Sequence, residues 1–244
     1  MSELSVQLYT LRKALEQDFQ GTLERLAEVG FTQVEPFQLV MFADQLREGL
    51  RQNGLTAPTT HVGLLNGNQE EICELAAELG VQTVIDPYVN PERWQAEADI
   101  SEIASELNAA AKTAARYGLT VGYHNHHFEL ESKISGVHAL EVFADRLAPE
   151  VVLEVDTYWA YAGGADVPAL LNRLGDRVSA LHLKDGDGSL DTSQQVAVGS
   201  GVLPVRDIIA AAPDALRVVE LDDSKTDLFE AVRESREFLL AEQD

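Results

Sequence analysis

Four glycines constrain the fold more than any other feature of the chain. Gly30, Gly54, Gly80 and Gly118 each close an apolar pattern at helical spacing, and a short strand-like run follows each within a few residues. The patterns are Phe19, Leu23, Leu26, then Phe42, Leu46, Leu50, then Ile72, Leu75, Ala76, Leu79, and finally Ile103, Leu107, Ala110, Ala111, Ala114. A glycine just past a helix adopts the left-handed conformation that ends it. A repeated helix–Gly–strand joint returns the chain to start each strand in the same direction, which implies parallel strands with crossover helices. The strand-like runs lie at 4–9, 33–35, 56–61, 81–85 and 121–124.

The second half continues the pattern. Val137, Leu140, Phe143 and Leu147 predict a helix before a strand at 151–155. Asp166 is placed to cap a helix carrying Val167, Leu170, Leu171 and Leu174. A strand at 178–183 precedes the longest irregular loop, 185–200. A short helix around Ile208, Ile209 and Ala212 leads to a strand at 216–221, and Leu228, Ala231, Val232 and Leu239 predict the last helix. Eight strand–helix units without a linker, in 244 residues, favour a single-domain (β/α)8 TIM barrel over residues 1–244. The alternative is an open doubly wound sheet, but no glycine-rich phosphate fingerprint follows the first strand.

Composition narrows the function. Eighteen basic residues face 41 acidic ones, a net charge of −23. Such a field opposes nucleic-acid binding, which rests on phosphate neutralisation by Lys and Arg. It attracts cations locally. No apolar run reaches the roughly 20 residues of a membrane span, and Met1-Ser2-Glu3-Leu4 shows no basic or apolar leader. The single cysteine, Cys73, sits in a helical apolar pattern and reads as core filler in a reducing cytoplasm.

In a barrel of this kind the C-terminal strand ends carry the chemistry. Here they are rich in Asp, Glu and His: Glu35, His61, Asp86, His124-Asn125-His126, Glu154-Val155-Asp156, His182-Leu183-Lys184-Asp185 and Glu220-Leu221-Asp222. Asp156, His182 and Glu220 end three successive strands. Two carboxylates and an imidazole at one point suit Mn, Mg, Co, Fe or Zn as a divalent ion, with room for substrate oxygens.

The run Leu153-Glu154-Val155-Asp156-Thr157-Tyr158-Trp159, with His182-Leu183-Lys184-Asp185, Gly199-Ser200-Gly201 and Val219-Glu220-Leu221-Asp222, resembles the xylose-isomerase-like superfamily of sugar isomerases and epimerases. Gly122-Tyr123-His124-Asn125-His126, followed by Phe128-Glu129, and the opening Gln7-Leu8-Tyr9-Thr10-Leu11-Arg12 are similar to one subgroup of it. The resemblance implies a metal-dependent isomerase or epimerase of a ketose, polyol or keto-sugar, working through an enediolate. A hydro-lyase of the keto-inositol dehydratase or keto-glycoside hydratase type is the alternative, and a non-catalytic sugar-binding barrel the third reading. Apurinic-site endonucleases share the superfamily, but the few histidines and the acidity oppose that reading. Homo-oligomers are common among relatives.

The resemblance implies metal ligands at Asp156, His182 and Glu220, and a strand-five glutamate that appears here as Gly122. With a side-chain period of two, His124 and His126 share the face of Gly122. Either of them, or Glu129 folding back, is a candidate replacement, whereas His127 is read as solvated. Glu220 is also a candidate acid/base, with Glu129, His126 or Glu35 as its counterpart. Lys184 is placed to stabilise an oxyanion and His61 to donate to substrate. Glu35, Asn125, Tyr158 and Trp159 are candidate substrate contacts.

Overall fold

A computed structural model describes residues 4–241. The reading of residues 1–3 as free of a leader lies outside the described residues. Strands β1 (Leu4–Val6), β2 (Thr59–His61), β3 (Thr83–Asp86) and β4 (Thr120–His124) are followed by a two-stranded antiparallel hairpin, β5 (Lys133–Ile134) and β6 (Val137–His138). Then come β7 (Val151–Asp156), β8 (Val178–Leu183) and β9 (Leu216–Val219). Seven strands form one parallel sheet in the order β1-β9-β8-β7-β4-β3-β2.

Residues 33–37 close this sheet into a barrel. Val6 O accepts from Glu35 N at 2.8 Å and Glu35 O from Leu8 N at 2.9 Å, on the β1 side. On the β2 side, Pro36 O accepts from His61 N at 2.8 Å and Thr56 O accepts from Val34 N at 2.9 Å. The segment pairs through isolated bridges because Pro36 has no N–H to give to a ladder. The expected TIM barrel is therefore present, with its second strand irregular. Gly30 and Gly54 stand at φ 100° and 63° just past their helices, as the sequence pattern required. Asp166 caps its helix by accepting from Ala169 N.

The region expected to be one helix from Val137 differs. Val137 and His138 pair with Lys133 and Ile134, and the helix runs only over Ala139–Ala144. Gly136, at φ 87°, allows that hairpin turn.

Alternation along each strand sorts the side chains. On β4, Tyr123 faces the helices and packs on Trp94 and Phe143 at ring distances of 5.4 and 5.1 Å. Each such buried aromatic contributes about 1.5–3 kcal/mol. Gly122 and His124 face the barrel interior. The upper interior is not apolar: Gln7, Glu35, His61, His124, Glu154, Asp156, His182 and Glu220 are all buried. An interior charged to this degree weakens the core, so its residues are placed for chemistry.

Candidate active site

Glu154 is the hub of the inner layer. Its Oε2 lies 2.5 Å from His61 Nε2, 3.1 Å from His124 Nδ1 and 3.0 Å from His182 Nε2. Glu35 Oε1 adds a contact of 2.6 Å to His182 Nε2 and accepts from Gln7 Nε2 at 2.7 Å. The outer layer lies one step nearer the mouth. There His182 Nδ1 is 2.8 Å from Glu220 Oε2, and His124 Nε2 is 3.7 Å from Asp156 Oδ2. Each of the two histidines thus has one ring nitrogen held by an inner carboxylate and the other turned outward. This is the arrangement by which carboxylates orient metal-ligating imidazoles.

Lys184 completes the cluster. Its ammonium is fully buried, 2.8 Å from Asp156, 2.6 Å from Glu220 and 2.9 Å from Asp222. Burial would lower its pKa, but the three carboxylates outweigh burial and raise it well above the ordinary value. Burial would likewise lower His182, and Glu154, Glu220 and Glu35 together hold it well above the usual range. Glu154 is depressed well below it, because the charges of His182 and His61 overcome its burial. Burial, reinforced by Glu220 and only partly offset by Lys184, pushes Asp156 up to about 6. Five carboxylates therefore face one ammonium and three imidazoles.

Two overlapping sets of donors are compact enough for a cation. His124, Asp156, His182 and Glu220 lie within 4.8 Å of one another, as do His61, His124, Glu154 and His182. The sets share two imidazoles, so they are alternatives for a single ion. Buried Glu35 Oε2 and Glu154 Oε1 have no hydrogen-bond partner, which leaves negative charge beneath the site unspent. The donors fit a divalent cation in chemistry and number. The outer set has the nitrogens that the inner carboxylates leave turned outward.

A cavity of about 440 Å³ opens onto the cluster. His61, His124, His126, Trp159, Glu220 and Asp222 line it together with Tyr9, Phe37, Val62, Pro87 and Tyr88. His61 and His126 flank His124, at ring distances of 4.8 and 5.3 Å. Burial, then the Lys184 charge, lowers His126 to about 4, so it is neutral at neutral pH. Its buried Nδ1 has no partner. His61 is raised instead: Glu35 and Glu154 overcome its burial.

Several sequence-based placements change. His126 lies on the cavity wall but outside both donor sets. Glu129 does not fold back to the ion site. It accepts from Tyr123 Oη at 2.7 Å and His126 N at 2.9 Å, and burial pushes it up to about 8. Glu35 is beneath the cluster, holding His182, not at the mouth. Asn125 ties β4 to β7, accepting from Asp156 N at 3.0 Å and donating to Asp156 O at 3.3 Å. Tyr158 is turned away, its hydroxyl on Ser189 O at 2.9 Å, whereas Trp159 does line the cavity. His127 is half-buried beside Trp159, with ring centroids 5.6 Å apart. Gly122 lies a level below the donors, where an added Cβ would meet Ile85 at 3.2 Å and Val152 at 3.4 Å. His124 stands at the donor level instead. Sequence reading assigned no role to Glu154 or Gln7. The signal for Glu154 was its offset of two from Asp156, which puts both on the inner face.

The chain belongs to the xylose isomerase-like TIM barrel family, whose model matches residues 23–241. It is 25% identical over 171 residues to fructoselysine 3-epimerase of Shigella flexneri, covering 68% of this chain and 48% of that one. It is 29% identical over 100 residues to inosose dehydratase of Bacillus velezensis, covering 41% and 30%. The matches thus span about half, or less, of the length of these two relatives. The crystal structure of the IolI protein with a bound zinc atom superposes with a TM-score of 0.75 at 16% identity, covering 99% of this chain and 98% of that one. That likeness shows the fold. No helix among the described residues is long and apolar enough to cross a membrane.

Proposed function

We propose that this chain is a divalent-metal-dependent isomerase or epimerase of a ketose, polyol or keto-sugar. The observation that carries the reading is the two-layer cluster: outer donors His124, Asp156, His182 and Glu220, with inner carboxylates Glu35 and Glu154 orienting the two imidazoles. A divalent ion held by the outer set would polarise a substrate carbonyl and lower the acidity barrier of the adjacent C–H. The chain's own groups do the rest. His126, neutral and on the cavity wall, is the candidate acceptor of that proton. His61, across His124 from it, is the candidate donor for return on another face or carbon. Lys184 keeps Asp156 and Glu220 from repelling one another. Trp159 and the other cavity walls limit water at the reacting carbon. The fructoselysine 3-epimerase relation supports this class. A cytoplasmic setting is part of the same proposal, supported by buried, unbonded Cys73.

A hydro-lyase is the second reading. The opposite pKa shifts of His61, raised, and His126, lowered, suit loss of water, with His126 taking the proton and His61 delivering one to the departing hydroxyl. The inosose dehydratase relation supports it. Incubation of Mn-loaded protein with a keto-inositol, a 3-keto-glucoside and a ketose in D₂O separates the two. The first reading expects deuterium next to the carbonyl with no loss of water. Growth of an ultraviolet-absorbing enone with loss of water establishes the second. Failure of the protein to take up Mn, together with neither change on any of the three, refutes both.

A further inference from the structure

Asp222 follows the ion-site donor Glu220 by two residues, and both line the cavity. Its carboxylate is held on one side only. Oδ2 accepts from Lys184 Nζ at 2.9 Å and from Gln195 Nε2 at 2.8 Å. Oδ1 has no hydrogen-bond partner among the described residues, and the side chain is 24% exposed where it meets the cavity. The backbone is fixed as well. Asp222 N donates to Gln195 Oε1 at 2.7 Å, and Asp222 O accepts from Arg12 Nη2 at 2.8 Å. The Asp222 N–H settles the Gln195 amide: its oxygen faces that N–H and its nitrogen faces the carboxylate. Gln195 is itself fully buried, and its backbone oxygen accepts from Ser224 Oγ at 2.8 Å. Asp156 and Glu220, at 2.8 and 2.6 Å, already outnumber the single charge of Lys184. The balance of that charge gives no reason for a third carboxylate clamped with one oxygen open.

We infer that Asp222 is a substrate-binding residue, its Oδ1 accepting a hydrogen bond from a sugar hydroxyl close to the ion site, and that Gln195 is the positioning residue that presents it. The inference rests on the reading above that a sugar or polyol meets the ion at the outer donors. Lys184 Nζ touches both Glu220 and Asp222, so this hydroxyl lies beside the oxygens that the ion would hold. An ionised acceptor makes a stronger hydrogen bond than a neutral one. One already fixed in place loses little freedom on binding. The substrate class narrows accordingly: it carries a free hydroxyl at that carbon, and a deoxy or O-methyl analogue leaves Asp222 without its partner. Sites built to hydrogen-bond a hydroxyl reject analogues that lack it. The irregular loop 185–200 thereby bears on specificity, through Gln195 alone.

Asp222→Asn tests the inference, because Lys184 and Gln195 both demand an acceptor where Oδ2 stands. The new amide turns its oxygen to them and its NH₂ to the cavity, which replaces an acceptor by a donor with the clamp intact. The Mn-loaded native protein and its variants are titrated by calorimetry with a keto-inositol, a 3-keto-glucoside and a ketose, and turnover is followed in D₂O. Asp222→Asn should bind the compound that the native protein prefers about tenfold more weakly, or worse. KM should rise with kcat little changed, and Mn affinity should stay. Asp207→Asn removes the same charge from the exposed surface and should match the native protein. Gln195→Glu sets a second carboxylate against Oδ2 and should weaken binding with Asp222 still in place. Unchanged substrate binding in Asp222→Asn overturns the inference. Should that variant not fold, unchanged binding in Gln195→Glu overturns it. A fall in Mn affinity that matches the fall in substrate binding also overturns it, making Asp222 a support of the ion site through Lys184. Native turnover with binding unchanged in Asp222→Asn sinks the inference alone. Binding without exchange or elimination, lost in Asp222→Asn, sinks the parent reading and leaves the hydroxyl acceptor standing. No binding of any of the three by the native protein sinks both.

Discussion

At the scale of single residues, the two carboxylates on β7 have different work. Asp156 belongs to the outer group that could hold a metal ion, and Glu154 holds the rings of His124 and His182 from behind. Loss of such a supporting group costs about 10–100-fold in metal affinity. Glu154→Gln should therefore weaken Mn or Zn binding by that factor in calorimetry, and Asp156→Asn should weaken it further. The reverse order would place the ion in the inner set of His61, His124, Glu154 and His182. The sequence made Asp156 legible as a strand-end carboxylate but left Glu154 without a role. A carboxylate pointing into a barrel interior differs from a solvated one only through the three imidazoles that other strands bring to it. Glu129 shows the same limit. Its place between Tyr123 and His126 depends on a short helix, Phe128–Glu131, that turns it inward. Its folded pKa of about 8 lies above the ordinary 4.5 because of burial. The folded state then holds a proton that the unfolded chain has released. This group's contribution is fully present below about 4.5 and is lost as pH rises towards about 8. Glu129→Gln should remove that slope, so urea unfolding across the window should show the variant gaining on the native protein as pH rises. A constant difference would mean that Glu129 is ionised in the fold.

At the scale of elements, the rhythm of the first half was legible because four of its helices run out into Gly30, Gly54, Gly80 and Gly118, whose left-handed geometry needs no partner elsewhere in the chain. The irregular second strand was only partly so: Pro36 marks it, but its bonds to Val6 and His61 come from neighbours on both sides. The β5–β6 hairpin was not legible, since two-residue strands carry no periodicity. Strand β4 allows a direct test of register. Gly122 pairs with Ile85 and Val152, whereas His124 pairs with Glu154. A glutamate at 122 would be buried among apolar neighbours and would push on Ile85 and Val152. Gly122→Glu should thus destabilise the fold by about 2–4 kcal/mol and add no metal affinity. His124→Glu puts a carboxylate at the donor level and should retain divalent binding. Denaturant midpoints and calorimetry on the pair decide it: stable folding and tighter metal binding by Gly122→Glu would place the missing donor one step deeper than His124.

At the scale of the whole molecule, a net charge of −23 and a buried cluster with more carboxylates than cations pull in the same direction. Folding gathers Glu35, Glu154, Asp156, Glu220 and Asp222 around Lys184 and three imidazoles, so the folded state is the one that gains from a divalent cation. A ligand that binds only the folded state adds about 2.7 kcal/mol at a hundred times its dissociation constant. For a chain of this length that corresponds to about 5–10 °C in melting temperature. Any salt also relieves repulsion over the acidic surface, so the comparison must be made at matched ionic strength. Protein stripped with EDTA should melt about 5–10 °C below the same protein supplied with Mn or Zn. Asp156→Asn should show little of that difference, because its surface charge is almost the same but its donor set is broken. An equal rise in the variant would assign the stabilisation to the acidic surface, and the interior cluster would then owe its charge balance to Lys184 and the imidazoles.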